Sequence, residues 1–341
     1  MSTTEVTEQP GATPRTPFDW RSLAPLATLI VLVIFFGLVT SNFFSLVTVE
    51  KVLNQGAVLA IVSVGLTFVL LCGEIDLSVG TVALWTACLC GVLFESKFAA
   101  GPGGKGAIGA GAVTLLILLP LVTSVAFGFL SGCLTVVSRL PSFIITLAMM
   151  NVALGLARYL TLSVTFALPP LLKSVGNDGS ALGAGFRFPN SAIVAAVVML
   201  AGHFILKHTR FGRYVYMTGG NREAARLAGV RTERIVIACL AICGLTAGIG
   251  GLVNSGRLEK VSLDQNADLL LNAVACVVLG GTSLFGGEGS MLRTLLGVVT
   301  FSVLHYGLNR ISGINDLMRP FLLGVVLMVA LVINGLLARR K

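Results

Sequence analysis

Gly56 to Phe94 reads GAVLAIVSVGLTFVLLCGEIDLSVGTVALWTACLCGVLF, two apolar runs joined by a short stretch that holds two acids, Glu74 and Asp76. A helix needs about 20 apolar residues to cross the hydrocarbon core of a bilayer, and each run approaches that length. Outward from this pair, apolar runs separated by loop residues recur and predict ten spans, at 23–41, 56–73, 77–94, 111–137, 142–161, 190–206, 235–254, 268–285, 290–308 and 319–337. The composition agrees: 55% of the 341 residues are hydrophobic and 11% are charged, whereas a soluble domain carries about a quarter charged residues. The mean hydropathy is +0.93. The expected fold is an all-α integral membrane protein of about ten transmembrane helices, with no room for a large domain outside the bilayer.

The net charge of +9 is not a nucleic-acid signal, because the basic residues gather in short loops between spans and act as topology signals. Seven of them, Lys207, Arg210, Arg213, Arg222, Arg226, Arg231 and Arg234, fall in the loop 207–234, which assigns that loop and both termini to the cytoplasm. Residues 1–22, with Pro10, Pro14 and Pro17, read as a disordered cytoplasmic tail, and 23–341 as one transmembrane domain. Residues 42–54 read as a helix lying at the outer interface. The Gly-rich stretch 95–110 and the stretch 162–189, with Pro169 and Pro170, read as loops outside the membrane.

Three stretches carry candidate function. In CGEIDLSVG (Cys72–Gly80) two acids lie between apolar runs, framed by Gly73 and Gly80 where a helix can unwind; an acid at membrane depth is costly and marks function, and a solvated cytoplasmic turn is the plainer alternative. In LGGTSLFGGEGS (Leu279–Ser290) glycines cluster on the same expected side, which suggests paired Gly-rich hairpins. In TGGNREAARLAG (Thr218–Gly229) Asn221 is suited to cap a helix, Glu223 to its first turn and Gly229 to its end. That helix has about two turns, too few to be stable alone, so it is expected to dock. Asp76 is expected to accept backbone N–H groups at the start of the third span, near Ser78 and Gly80. Glu74 has no partner evident in the sequence. His203, His208 and His305 are dispersed, and Lys105 lacks the spacing of a phosphate loop, so neither a catalytic nor a metal-ligating set is expected.

At these stretches the sequence resembles the transmembrane permease subunits of bacterial ABC importers for monosaccharides of the ribose, xylose, arabinose and galactose type. IDLSVG (Ile75–Gly80), PSFIITLAMM (Pro141–Met150), GRYVYMTGGNREAARLAGV (Gly212–Val230) and VVLGGTSLFGGEGS (Val277–Ser290) carry the likeness. The resemblance implies that Gly220, Asn221, Glu223, Ala224, Ala225 and Gly229 form a coupling helix received by an ATP-binding subunit. ATP and magnesium would be bound by that partner, with no cofactor in this chain. An extracytoplasmic solute-binding protein and a second permease subunit, identical or not, would complete the system in the lipid of a bacterial inner membrane. Asp76, Ser78, Gly80, Glu74, Asn151, Gly280, Gly281, Thr282 and Ser283 are structural or translocation-path candidates. The sequence departs from the family pattern at Leu59, Glu74, Leu154 and Leu270, where the family usually has Asn, Gly, Arg and Glu; the expected cargo is therefore a monosaccharide or similar small polyhydroxylated solute. The alternatives are an ion- or proton-coupled carrier using Glu74 and Asp76, and a membrane-embedded enzyme using the same acids.

Overall fold

A computed structural model describes residues 24–96, 110–181, 186–311, 314–315 and 317–339. The described residues form thirteen helices and a two-stranded antiparallel hairpin. The helices are α1 (Ala24–Val39), α2 (Leu46–Leu71), α3 (Val79–Phe94), α4 (Ala110–Ser138), α5 (Ser142–Thr161), α6 (Pro170–Asn177), α7 (Asn190–His208), α8 (Arg210–Gly220), α9 (Arg222–Leu227), α10 (Thr232–Leu258), α11 (Leu269–Leu279), α12 (Met291–Arg310) and α13 (Arg319–Arg339). Strands β1 (Gly179–Ala181) and β2 (Arg187–Pro189) lie between α6 and α7. Among the described residues six helices, α2, α4, α5, α7, α10 and α12, are long and apolar enough to cross a membrane, and shorter apolar helices occur at α1, α3, α11 and α13. The tail expected at 1–22 and most of the loop expected at 95–110 lie outside the described residues.

Three boundaries differ from the sequence reading, each for a local reason. No separate interfacial helix forms over 42–54: the Ser45 hydroxyl accepts the Thr48 N–H at 3.3 Å and starts one helix that runs unbroken from Leu46 to Leu71. Asn54 and Gln55 thus sit within α2, Asn54 donating to the Gly176 carbonyl at 3.0 Å and Gln55 meeting His305 at 2.6 Å. The span expected at 268–285 is a half-length helix, since α11 stops at Leu279 where Gly280 and Gly281 release the chain. The stretch 162–189 is ordered around Pro170, which opens α6, and around β1–β2, with Ser180 opposite Phe188. Phe166 pairs with Val261 in an isolated antiparallel bridge.

The core centres on α10 and α2. The segment Gly244–Gly251 of α10 meets three helices at once, with Gly244 and Gly248 against Ser124 of α4, Gly250 against Val62 of α2 and Gly251 against Ala83 of α3; a Cβ at any of these would overlap its neighbour. Small residues allow this approach where surrounding lipid removes the hydrophobic force between helices. Leu118 and Val122 of α4 and Leu147 and Val152 of α5 are exposed instead, an apolar surface suited to acyl chains. One end of the bundle carries α6, the hairpin and the Phe166–Val261 bridge. The opposite end carries α8, α9 and the breaks between α2 and α3 and between α11 and α12.

Candidate functional site

The three stretches singled out in the sequence meet at that opposite end. The Gly287 N–H donates to the Leu71 carbonyl at 3.0 Å, joining the α11–α12 break to the last turn of α2. Gly219 of α8 is wedged beside this bond: a Cβ there would overlap the Leu71 carbonyl and lie 2.8 Å from the Gly287 nitrogen. A Cβ on Gly286 would stand 2.7 Å from the Gly219 carbonyl oxygen and 3.0 Å from the Gly73 Cα. Gly73, Gly286 and Gly287 have φ of 78°, 90° and 72°, a region glycine enters at no steric cost. Backbones in contact without intervening side chains leave little slack, so a displacement of α8 is passed to both breaks. The Tyr216 hydroxyl of α8 adds a bond to the Gly289 carbonyl at 3.0 Å.

The α2–α3 break runs extended along the start of α5. The Ile75 N–H donates to Ser142 Oγ at 2.9 Å and the Leu77 N–H to Thr146 Oγ1 at 3.0 Å, so hydroxyls of α5 satisfy backbone groups that the unwound segment leaves free. Asp76 is buried and accepts from the Ser78 N–H at 2.9 Å and the Ser78 hydroxyl at 2.6 Å. Its carboxylate therefore serves the start of α3, where Ser78 itself makes no side-chain cap. Gly80 makes no bond to Asp76; it packs against the Asn266 carbonyl and Leu270.

Glu74 has a partner that the sequence did not reveal. Its Oε1 accepts from Arg222 Nη2 of α9, and the Glu74 side chain is almost wholly buried while Arg222 is 43% exposed. The pair is remote in sequence and forms only because α8 and α9 return the chain to the α2–α3 break. Burial works against the Arg222 charge, but the Glu74 hydrogen bond and charge outweigh it and hold the guanidinium above its ordinary value.

The short helix α9 is fastened at both ends. Asn221 Oδ1 accepts the Ala224 N–H at 3.0 Å. At the other end Gly229, with φ of 82°, donates to the Arg226 carbonyl at 2.9 Å and Val230 donates to the Ala225 carbonyl at 3.0 Å, a Schellman ending. Arg226 then reaches Thr232 Oγ1 at 3.0 Å and Glu233 at 2.6 Å on α10. Ala225 is buried and anchors the helix, whereas Gly220, Glu223, Ala224 and Ala228 face outward. Leu227 is 86% exposed and Phe285 of the second break is 92% exposed, large apolar side chains beside charged ones at a helix end.

The remaining candidates divide. Gly280 packs against the Arg293 carbonyl, Gly281 has φ of 89° with open space around it, and Ser283 Oγ accepts the Phe285 N–H at 3.1 Å, so these shape the second break. Thr282 is buried, its hydroxyl without a hydrogen-bond partner among the described residues. Asn151 lies on the exposed face of α5 and donates to the Leu147 carbonyl at 3.0 Å, away from the bonds that join the breaks to α8 and α9. Sequence reasoning passed over Gly219, Tyr216 and Arg222. In the sequence Arg222 reads only as a loop charge; the available signal is the lone acid Glu74, which needs a cation.

Residues 48–331 match the family described as branched-chain amino acid transport system / permease component. The chain belongs to this permease family. The permease is 31% identical to the ribose import permease protein RbsC of Escherichia coli strain K12, over 91% of this chain and 92% of that protein. It is 30% identical to the fructose import permease protein FrcC of Rhizobium meliloti, over 91% of this chain and 84% of that one. It is 30% identical to the autoinducer 2 import system permease protein LsrC of Photorhabdus luminescens, over 91% and 89%. No solved structure matches the permease. The family and the run of apolar helices make it a multi-pass membrane protein whose role is transport.

Proposed function

We propose that the permease is the membrane subunit of an ATP-driven importer for a monosaccharide or similar small polyhydroxylated solute. The observation that carries this reading is the meeting of α8 and α9 with both Gly-rich breaks through Gly219, Gly286 and the Glu74–Arg222 pair. A motor protein pushing on α9 would act on two discontinuous helices at once. The similarity to ribose, fructose and autoinducer 2 import permeases supports a polyhydroxylated cargo.

Ten spans follow if the six long helices and the four shorter apolar ones all cross the bilayer, and the basic density of 207–234 sets α9 and both termini in the cytoplasm. The α6 and hairpin end then faces outward, where a solute-binding protein would deliver cargo to a pair of permease subunits. Leu227 and Phe285 form the apolar part of the surface that receives the ATP-binding subunit, and that partner holds ATP and magnesium. An ion-coupled carrier or an embedded enzyme would need Glu74 or Asp76 turned toward a path, but Glu74 is engaged by Arg222 and Asp76 by Ser78. Leu227→Asp and Phe285→Asp should leave insertion intact and lower co-purification of the ATP-binding subunit about tenfold each. Full retention of that subunit by both variants would overturn the docking surface.

A further inference from the structure

Between α11, α12 and α13 lies an open cavity of about 440 Å³ whose lining includes Asp268, Asn272, His305, Asn309 and Arg319. Its position is unusual for so many polar groups. Gly80 at the start of α3 lies against the Asn266 carbonyl, while Gly91 near the far end of α3 lies against Phe166 and Val261. The two glycines are about 16 Å apart along the α3 axis at the ordinary helical rise, so the chain turns back into the bundle before α11 begins. Gln265 donates to Ser255 Oγ at 2.7 Å, and Asn254 to Asn266 Oδ1 at 2.8 Å, holding that descent against α10. Asp268 and Asn272 therefore open a half-length helix partway along the bundle, Asp268 exposed in the open cavity and Asn272 half-buried.

Among the described residues their side chains make no hydrogen bond that holds the fold. Asp268 precedes α11 yet makes no capping bond to it, and among the described residues neither it nor Asn272 has a side-chain hydrogen bond. Four residues apart, they share one face of the helix. Opposite them, Gln55 and Asn309 approach His305 Nδ1 with amide nitrogens at 2.6 and 3.1 Å. The two amides and the ring form one hydrogen-bonded group whose donor and acceptor roles follow the ring tautomer. The cavity thus offers a carboxylate acceptor, the amides of Asn272 and Asn309, an imidazole and the Arg319 guanidinium, with Leu323 and Leu327 supplying apolar surface.

We propose that this cavity is where a neutral polyhydroxylated solute rests during passage, its hydroxyls donating to Asp268 and pairing with Asn272 and the His305 ring. The inference rests on the importer reading above. The volume falls in the range of small-molecule sites, and an acid at this depth that faces an open cavity, with no side-chain partner among the described residues, calls for one. Vicinal hydroxyls satisfy both oxygens of a carboxylate while leaving the solute uncharged.

The test is uptake of labelled D-ribose, D-fructose and L-leucine by cells carrying the complete import system, with thermal stability of each purified permease variant alongside. Asp268→Asn and Asn272→Leu should keep wild-type stability and association with the ATP-binding subunit, and each should cut uptake of the transported sugar about tenfold, the loss of one or two good hydrogen bonds. Asn272→Asp should change the ratio of ribose to fructose uptake, which a purely structural role would not. Sugar uptake by wild type that is unchanged in all three variants would overturn the site and leave the importer reading standing. L-leucine uptake by wild type that exceeds uptake of both sugars and does not depend on Asp268 would overturn the polyol importer reading and the site with it. L-leucine uptake dependent on Asp268 would replace the polyol with a zwitterion.

Discussion

Around Gly73, Gly219 and Gly286 three backbones touch with no side chain between them, whereas between α11, α12 and α13 polar side chains surround an open space of about 440 Å³. In the first region the acids and the tyrosine are spent internally, Asp76 on Ser78, Glu74 on Arg222 and Tyr216 on Gly289, while the buried hydroxyls of Thr218 and Thr282 have no partner among the described residues. In the second, Asp268 and Asn272 have no side-chain hydrogen bond among the described residues. A close-packed contact transmits displacement because it cannot absorb it. A polar cavity with unspent groups does the reverse and gains stability only when something fills it. One bundle therefore holds a stiff region suited to receiving force beside a yielding region suited to receiving a ligand.

Substitutions that probe packing should separate the two regions most strongly. Gly219→Ala sets a methyl against the Leu71 carbonyl and should destabilise the permease by about 3 kcal/mol, while Gly220→Ala next to it, with open space around it, should stay within about 0.5 kcal/mol. Thermal unfolding in detergent reads both, and equal effects would remove the interlock. The acids should differ less. Asp76→Asn weakens two charge-assisted bonds and should cost about 1–3 kcal/mol, whereas Asp268→Asn loses no bond among the described residues and should leave stability unchanged. The smallest effects belong to α9. Gly229→Val strains a left-handed residue by about 1–2 kcal/mol, and Glu223→Lys opposes the helix dipole by about 0.5 kcal/mol. Both should leave the protein inserted but weaken retention of the ATP-binding subunit in a pull-down.

Much of this was legible in the sequence. Apolar runs marked the membrane helices because hydrophobic length is the dominant constraint there, and Asn221 and Gly229 marked α9 because caps are local chemistry. The Asp76–Ser78 contact spans two residues and is local chemistry of the same kind, although Gly80, expected beside it, packs on Asn266 and Leu270 instead. What the sequence hid is non-local. Glu74 finds Arg222 only once α8 and α9 are folded back. Gly219 gains its meaning from Leu71 and Gly287, which no spacing rule connects. The extension of α2 back to Leu46 turned on a single Ser45 cap beneath residues that also read as amphipathic. The half-length of α11, and with it the depth of Asp268, depends on Asn254, Ser255 and Gly80 receiving the preceding loop.

The Glu74–Arg222 pair would join α9 mechanically to the α2–α3 break, a claim that charge exchange tests directly. Permease with its ATP-binding subunit and solute-binding protein would be reconstituted in vesicles, and labelled sugar taken up per ATP hydrolysed would be measured for Glu74→Arg, Arg222→Glu and the double exchange. Each single change places like charges together and should lower that ratio severalfold with the ATP-binding subunit still bound, and the double exchange should restore most of it, the sign of a direct pairwise interaction. Single variants that transport at the wild-type ratio, or a double exchange no better than the worse single, would contradict the claim.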